Sequence, residues 1–370
     1  MLYWIVAFTA TFLFQVSNVY VANIVFVLWI IMRLFIRKTS YSFNQKELYI
    51  FIFYIGWILF SMLIFWLQYH YFEIRNIVQF LYNFQYIFLL VDGTLDKNKF
   101  KRAMYYCSYL LAGTIIGLWI FKTDMMSIST LVVHHREWAE GYIGGWPNST
   151  VLPLVFGVYM EMSAFMKDKR ITGMVRLCIL LFALLLCTSR TGYVGAALVI
   201  VYFLFSVGQD TKKWKKVFKY ALSIVIVAIV SVGVISIITT EEMRGRMLMV
   251  ADRMEIVKDA LVYIGNRPIS GYGGNTVDVV YKVVARTTTG INWGHTHNTI
   301  LELLIRHGIV GMLTFVLFIF GISKHLVSKE EKAMYWILWI LSLFQIYYKD
   351  FVFLLLLYSL VPQKGIKSSM

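Results

Sequence analysis

Apolar residues run along this chain in long blocks, and polar residues gather in the gaps between them. The blocks fall at roughly 2–16, 19–36, 48–67, 74–91, 104–121, 150–166, 173–187, 193–207, 220–238, 299–322, 333–347 and 351–362. A bilayer is crossed upright by about 20 residues of helix, and a spanning helix satisfies its own backbone polar groups where no water can. The pattern therefore predicts an all-α polytopic membrane protein of about twelve transmembrane helices. We read residues 1–370 as a single integral membrane domain. Two polar stretches stand out as long loops: 122–149, and a larger one, 239–298, between the ninth and tenth helices.

The larger loop carries its own periodicity. From Met243 to Ile264 the apolar residues Met247, Val250, Met254, Val257 and Leu261 recur at spacings of three and four. That predicts an amphipathic helix packed on the membrane domain or lying in the interface. Arg246 and Arg253, seven apart, share a stripe beside this seam. A turn-rich run follows, Asn266-Arg267-Pro268-Ile269-Ser270-Gly271-Tyr272-Gly273-Gly274-Asn275. It is not a dinucleotide fingerprint, because it does not sit between a strand and a helix. The loop ends in His295-Thr296-His297-Asn298, directly before a helix whose first turns include Glu302. Asn298 or Thr296 serves as its N-cap. Gly308 lies eleven residues after His297, about three turns, which puts the two on one side. Gly308 and Gly311 would let another helix approach closely.

Composition removes the soluble alternatives. The chain is 59% hydrophobic and 17% aromatic, with a mean hydropathy of +0.68, more apolar surface than globular domains can hide. A net charge of +15 invites a nucleic-acid reading, but the basic residues are dispersed in short runs between apolar blocks, as topology signals are. Cys107, Cys178 and Cys187 all lie in apolar blocks without a CxxC pair, and read as small buried hydrophobes. The N-terminus begins apolar at once, which predicts a retained first helix and not a cleaved leader.

Charge orients the helices. One alternating set of loops contains Arg33 to Lys46, Lys97 to Arg102, Lys167 to Arg170, Lys212 to Lys219, Lys324 to Lys332, and Lys364 with Lys367. Together these hold 17 Lys and 4 Arg. By the positive-inside rule they are cytoplasmic, with both termini inside. The remaining basic residues number 10 Arg and 4 Lys. Lysine serves topology as a hydrated point charge, whereas the arginine fork grips phosphate through two parallel hydrogen bonds. An Arg-rich outer face points to an anionic ligand there, with plain surface arginines as the rival account.

The outer face also holds imidazoles. His297 at a helix entrance, beside arginines, suggests a base next to a phosphate clamp. When a sugar leaves a lipid diphosphate, arginines can stabilise the developing negative charge. A histidine can take the acceptor hydroxyl's proton near neutral pH, and holding both substrates in line supplies proximity. The competing readings are ordinary ones. His295 and His297, with His134 and His135, could ligate a metal, although no outer cysteine completes a zinc set. The Gly141–Trp146 stretch fits an interfacial aromatic belt better than a sugar platform. Arg190, in Thr188-Ser189-Arg190-Thr191-Gly192 at an outer boundary, is either functional or snorkelling to headgroups.

Three of these segments carry a family likeness. Ser189-Arg190-Thr191-Gly192 opening a helix, Arg253 followed by Pro268-x-x-Gly271-x-Gly273, and His297-Asn298 followed by Gly308-x-x-Gly311 occur in order. Together they resemble the signatures of the O-antigen polymerase/O-antigen ligase (Wzy/WaaL) superfamily, most like a repeat-unit polymerase. The likeness covers roughly 189–311; the N-terminal half matches only as a string of apolar blocks. It implies a GT-C-like, metal-independent membrane glycosyltransferase without a cofactor, in the bacterial cytoplasmic (inner) membrane, with its site on the extracytoplasmic face. The donor would be an undecaprenyl-diphosphate-linked oligosaccharide of O-antigen, lipopolysaccharide, capsule or exopolysaccharide type. His297 would be the catalytic base, with Arg190 and Arg253 on the diphosphate. Arg244, Arg246, Arg267 and Arg286 are second-rank candidates, and Ser189, Asn298, Gly308 and Gly311 are supporting residues. The implied partners are membrane lipid, a chain-length regulator and a flippase; nucleic acid is not among them. A polymerase would extend a lipid-linked chain and a ligase would move it to a lipid A core or a protein. Polymerase is favoured on frequency and modest chain length.

A transporter or flippase is the rival of a different class, since twelve helices is a common transporter count. Its repeated halves are not seen, and acidic residues within the apolar blocks are scarce. A non-catalytic envelope scaffold would not explain His and Arg clustered on one face. The topology has a direct check: single cysteines placed at Lys215 and Ala285 should label from opposite sides of the membrane, and labelling from one side would break the assignment.

Overall fold

The computed structural model describes residues 45–72, 83–89, 97–122, 147–168, 171–207, 254–275, 296–347 and 350–361, with positions 4, 7, 8, 80, 279, 280, 283 and 284 besides. The described residues are helical and contain no strand. In chain order the helices are α1 (Gln45–Tyr69), a 3-10 turn (Gln85–Leu89), α2 (Lys97–Lys122), α3 (Pro147–Asp168), α4 (Ile171–Leu186), α5 (Arg190–Val207), α6 (254–266), α7 (Thr299–Lys324), α8 (Lys329–Leu341) and α9 (Phe351–Leu360). Helices α1, α2 and α7 are long and apolar enough to cross a membrane, and α3, α4 and α5 hold shorter apolar stretches. The apolar blocks at 19–36 and 220–238, most of 2–16 and 74–91, and positions 123–146 of the loop 122–149 lie outside the described residues, so the count of twelve and the loop layout do too. Block 333–347 ends as a helix at Leu341; its last residues form a turn that holds the site described below.

The chain divides into two compact units. The first comprises Met1–Asn23, Lys99–Met249 and Ala333–Leu341. In it α3 packs against both α4 and α5, and glycines set how closely. A methyl group at Gly192 would meet Val151 at 2.9 Å, and one at Gly195 would meet Leu341 at 2.9 Å and Val155 at 3.0 Å. In lipid there is no hydrophobic drive between helices, so such close small-residue contacts supply the packing. The same unit buries Glu161 of α3 completely. Its Oε1 accepts from the hydroxyls of Tyr105 and Tyr109 on α2 and pairs with Arg176 Nε of α4 at 3.2 Å. A carboxylate among apolar helices needs such donors; here all three converge on Oε1, and Oε2 meets none among the described residues. Cys107 and Cys187 are buried as expected, but Cys178 is exposed, because its position on α4 faces away from α3.

The second unit comprises Ile24–Asn98, Val250–Lys332 and Ser342–Met370. Its spine is the antiparallel pair α1 and α7. Glu47 Oε1 meets His325 Nε2 at 3.2 Å at one end. Phe51 then packs on Phe318 and Tyr54 on Phe315, and Trp57 Nε1 donates to the His307 carbonyl at 2.9 Å. Further along, Ser61 and Phe65 of α1 meet the glycine-rich turn that follows α6.

Helix α6 corrects one expectation. Its buried face is Ile256, Ala260 and Tyr263, of which Ala260 and Tyr263 join Phe65, Tyr272, Val280 and Ile305 in one core cluster. Of the predicted seam, Met254 and Leu261 are exposed and Val257 is only half-buried. The three-four spacing identified a helix, but a second apolar stripe does the packing. The Glu161 ring yields a stability test: Glu161→Ala leaves two tyrosines and an arginine without their acceptor and should cost about 1–3 kcal/mol. Glu161→Gln keeps one acceptor oxygen and should cost less, read as thermal unfolding in detergent.

Candidate functional site

His297 sits where the chain turns into α7. Asn298 is the N-cap, extended at φ −147°, with its side-chain oxygen accepting from Ile300 N and Leu301 N. This satisfies two of the donors that every helix start leaves open. Thr296 is not the cap. Its N and Oγ1 reach Glu302 Oε2 at 3.3 and 3.1 Å, so Glu302 grips the residue just before His297. Between these two anchors His297 adopts φ +53°, a left-handed backbone uncommon outside glycine. Its ring is half-buried, and Nδ1 lies 3.2 Å from Gln345 Oε1.

The other oxygen of Glu302, Oε1, takes Arg306 Nε at 2.6 Å. Both side chains are fully buried. A buried pair survives only when its remaining hydrogen-bonding capacity is used. Here Thr296 fills the carboxylate, and Arg306 Nη1 donates to the Gly274 carbonyl at 3.2 Å. The glycine turn is thereby tied to the histidine loop through two side chains of α7.

The turn itself enters a break in α7. Gly308 is non-helical, at φ 65° and ψ −173°. The carbonyls of Ile305 and Arg306 accept from Tyr272 N and Gly274 N, both at 2.9 Å, and Ile309 N donates to the Pro268 carbonyl at 2.8 Å. The loop thus supplies both halves of the hydrogen bonding that the helix gives up. The approach is close enough to require glycine on both sides. A methyl group at Gly308 would run into the Ile269 carbonyl, and one at Gly271 would lie 2.7 Å from His307 N. From the α1 side, Ser61 Oγ donates to the Ser270 carbonyl and accepts from Gly273 N at 3.1 Å. Tyr272 is buried; burial pushes its phenol up to about 12, and the hydroxyl donates to the Tyr263 carbonyl at 3.1 Å.

This geometry revises the part assigned to Gly308. It does not open α7 to a neighbouring helix; it breaks α7 so that a loop can enter. With the helix interrupted, counting turns from His297 does not place the two on one side. Gly311 does serve close helix approach, since a methyl group there would meet Trp57 of α1 at 3.1 Å.

Arg267 opens the same turn. Its guanidinium carbon stands 4.8 Å from the centre of the Tyr69 ring, 5.5 Å from Tyr272 and 5.9 Å from Phe65. Its Nη1 is buried and meets no hydrogen-bond partner among the described residues. Ring stacking of this kind contributes on the order of 0.5–2 kcal/mol and holds the turn against α1.

In the other unit, Arg190 is the first residue of α5 and is exposed, while Ser189 is buried. The chain reverses from α4 within a tight turn in which Thr188 takes φ +51° and Thr188 N donates to the Leu185 carbonyl at 3.1 Å. A helix N-terminus already carries partial positive charge, so an arginine there does not help the helix. Both features favour an anion. Arg253, Arg246, Arg244 and Arg286 lie outside the described residues, as do His134, His135 and His295. No metal-binding group of three His, Cys, Asp or Glu side chains is present among the described residues.

Sequence reasoning missed Gln345, Ser61 and Trp57, whose partners lie 48, 209 and 250 residues away; no local pattern signals them. Arg306 did have a signal, its spacing of four from Glu302. The break in α7 can be tested. Gly308→Ala combines a disfavoured φ with a backbone clash and should destabilise by more than about 2 kcal/mol. Gly113→Ala, in open space on α2, should be neutral or stabilising by up to about 1 kcal/mol. Thermal unfolding of the two variants in detergent makes the comparison.

Comparison with known proteins bears on the segment that contains these features. Residues 176–316 match the family model described as O-antigen ligase. A protein of Haemophilus influenzae named only as uncharacterized is 24% identical over 228 residues, 52% of this chain and 55% of that protein. The chain thus matches about half the length of that relative. The matched segment runs from α4 through α5 and α6 to the middle of α7, and so includes Arg190, the glycine turn, His297 and the broken helix. Its long helices are apolar enough to cross a membrane, and over residues 176–316 the chain is similar to the O-antigen ligase family.

Proposed function

We propose that this protein is a repeat-unit polymerase of the cytoplasmic membrane. It transfers a glycan from an undecaprenyl-diphosphate carrier to a sugar hydroxyl of a second lipid-linked unit on the outer face. One observation carries the reading: His297, within the segment that matches the family, is held at the entrance of α7 by residues before and after it. An imidazole fixed this way can be a base, whereas one on a mobile loop is a poor one.

In the reaction, the acceptor hydroxyl gives its proton to His297 as its oxygen bonds to the anomeric carbon of the donor. The bond from that carbon to the diphosphate oxygen breaks, and the lipid diphosphate leaves with the electron pair. Arg190 and Arg253 bind the diphosphate and stabilise its growing charge; Arg244, Arg246, Arg267 and Arg286 are the further candidates. The reading assigns that stabilisation to guanidinium groups and not to a metal. Chain-length regulator and flippase proteins are its expected partners.

A second reading is transfer of the glycan to a lipid A core or a protein, favoured by the name of the matched family, O-antigen ligase. Reconstitution with purified lipid-linked repeat units separates the two. A ladder of longer lipid-linked products on a gel supports the polymerase, and transfer only to an added second acceptor supports the ligase. His297→Ala should remain folded and membrane-inserted yet slow extension by about 10²–10⁴-fold, the range of a lost general base. Unchanged laddering in that variant would remove His297 as the base.

A further inference from the structure

The segment that follows α8 is tied to the histidine loop by four hydrogen bonds. Thr299 N donates to the Ser342 carbonyl at 3.1 Å, and Asn298 Nδ2 donates to the Leu343 carbonyl at 2.9 Å. Thr299 Oγ1 donates to the Gln345 carbonyl at 3.3 Å, and His297 Nδ1 faces Gln345 Oε1 at 3.2 Å. Three consecutive residues of one segment are therefore matched to three of another, Ser342, Leu343 and Gln345, more than 40 residues away in the chain. Gln345 is itself braced, because its carbonyl also accepts from Tyr347 N at 3.0 Å. A left-handed backbone at a histidine costs on the order of 1 kcal/mol or more and persists where the surroundings over-determine it. These bonds, with the Asn298 cap and the Thr296–Glu302 grip, over-determine it.

We infer that Gln345 is a positioning residue for His297: its amide oxygen accepts from Nδ1–H and so fixes the ring's basic lone pair on Nε2. A neutral imidazole has one donor nitrogen and one acceptor nitrogen, and the partner of one decides the role of the other. An amide suits a base that must start neutral. It orients the ring without adding charge, where a carboxylate would favour the imidazolium. The inference rests on the reading of His297 as the proton acceptor.

The test is nitrogen-15 spectroscopy of histidine-labelled protein in detergent, with the His297 ring assigned from the difference against His297→Asn, alongside extension kinetics. Wild type should show His297 as the Nδ1–H tautomer. Gln345→Ala should shift it toward Nε2–H and lower kcat by about 10–100-fold, with KM for the lipid-linked donor nearly unchanged. An Nε2–H ring in wild type, an unshifted spectrum in the variant, or a shifted spectrum with unchanged kcat would each overturn the inference. Should the alanine variant fail to fold, the wild-type spectrum alone decides. An active His297→Ala variant would instead defeat the base assignment, and the tautomer result would still report on Gln345.

Discussion

Two backbone carbonyls, those of Ile305 and Arg306, organise the second unit. An uninterrupted α7 would pair them with its own next turn. They accept instead from Tyr272 N and Gly274 N, and Ile309 N turns to Pro268. Unsatisfied backbone groups in a buried setting cost several kcal/mol between them, so helix and turn must form together. Gly308 makes the break sterically possible, and Gly271 lets the turn reach it. The remaining contacts around the turn follow from this exchange: Ser61 of α1 bonds the turn and Trp57 of α1 bonds the His307 carbonyl beside the break, Arg267 stacks on rings of α1 and the turn, and α6 packs on Tyr272.

The exchange matters for chemistry because Arg306 is also half of the buried pair with Glu302. That pair is not a simple source of stability, since desolvating two charges costs about what their attraction returns. Its value is geometric. Glu302 holds Thr296 and Arg306 holds Gly274, so the residue before His297 and the glycine turn are fixed relative to one helix. In the proposed role of His297 as a base, that fixity matters more than extra binding energy, because the ring must meet a hydroxyl within a few tenths of an ångström.

Much of this was legible in the sequence, for identifiable reasons. Helix α7 announced itself through a long apolar run, which holds to within two residues, and through two cap candidates, Asn298 and Thr296, of which Asn298 is the cap. Asn266 to Asn275 was readable as a turn because Gly and Pro are punctuators. What could not be read is where that turn goes. The eleven-residue spacing from His297 to Gly308 suggested one helical face, a sound inference only for an unbroken helix. Likewise the Met254 and Leu261 stripe of α6 was a real periodicity, yet Ile256, Ala260 and Tyr263 do the packing. Two apolar stripes on one helix give no local basis for choosing between them. Gln345 had no sequence signal, because its partner lies on another helix entrance.

The account stands on the turn and the broken helix being one cooperative structure, and native-state hydrogen exchange tests that directly. The amides of Tyr272, Gly274 and Ile309 should exchange as slowly as those in the middle of α7, because each is buried in a bond that opens only when the unit unfolds. Exchange at the rate of an exposed loop at these three amides, beside slow exchange in α7, would contradict it.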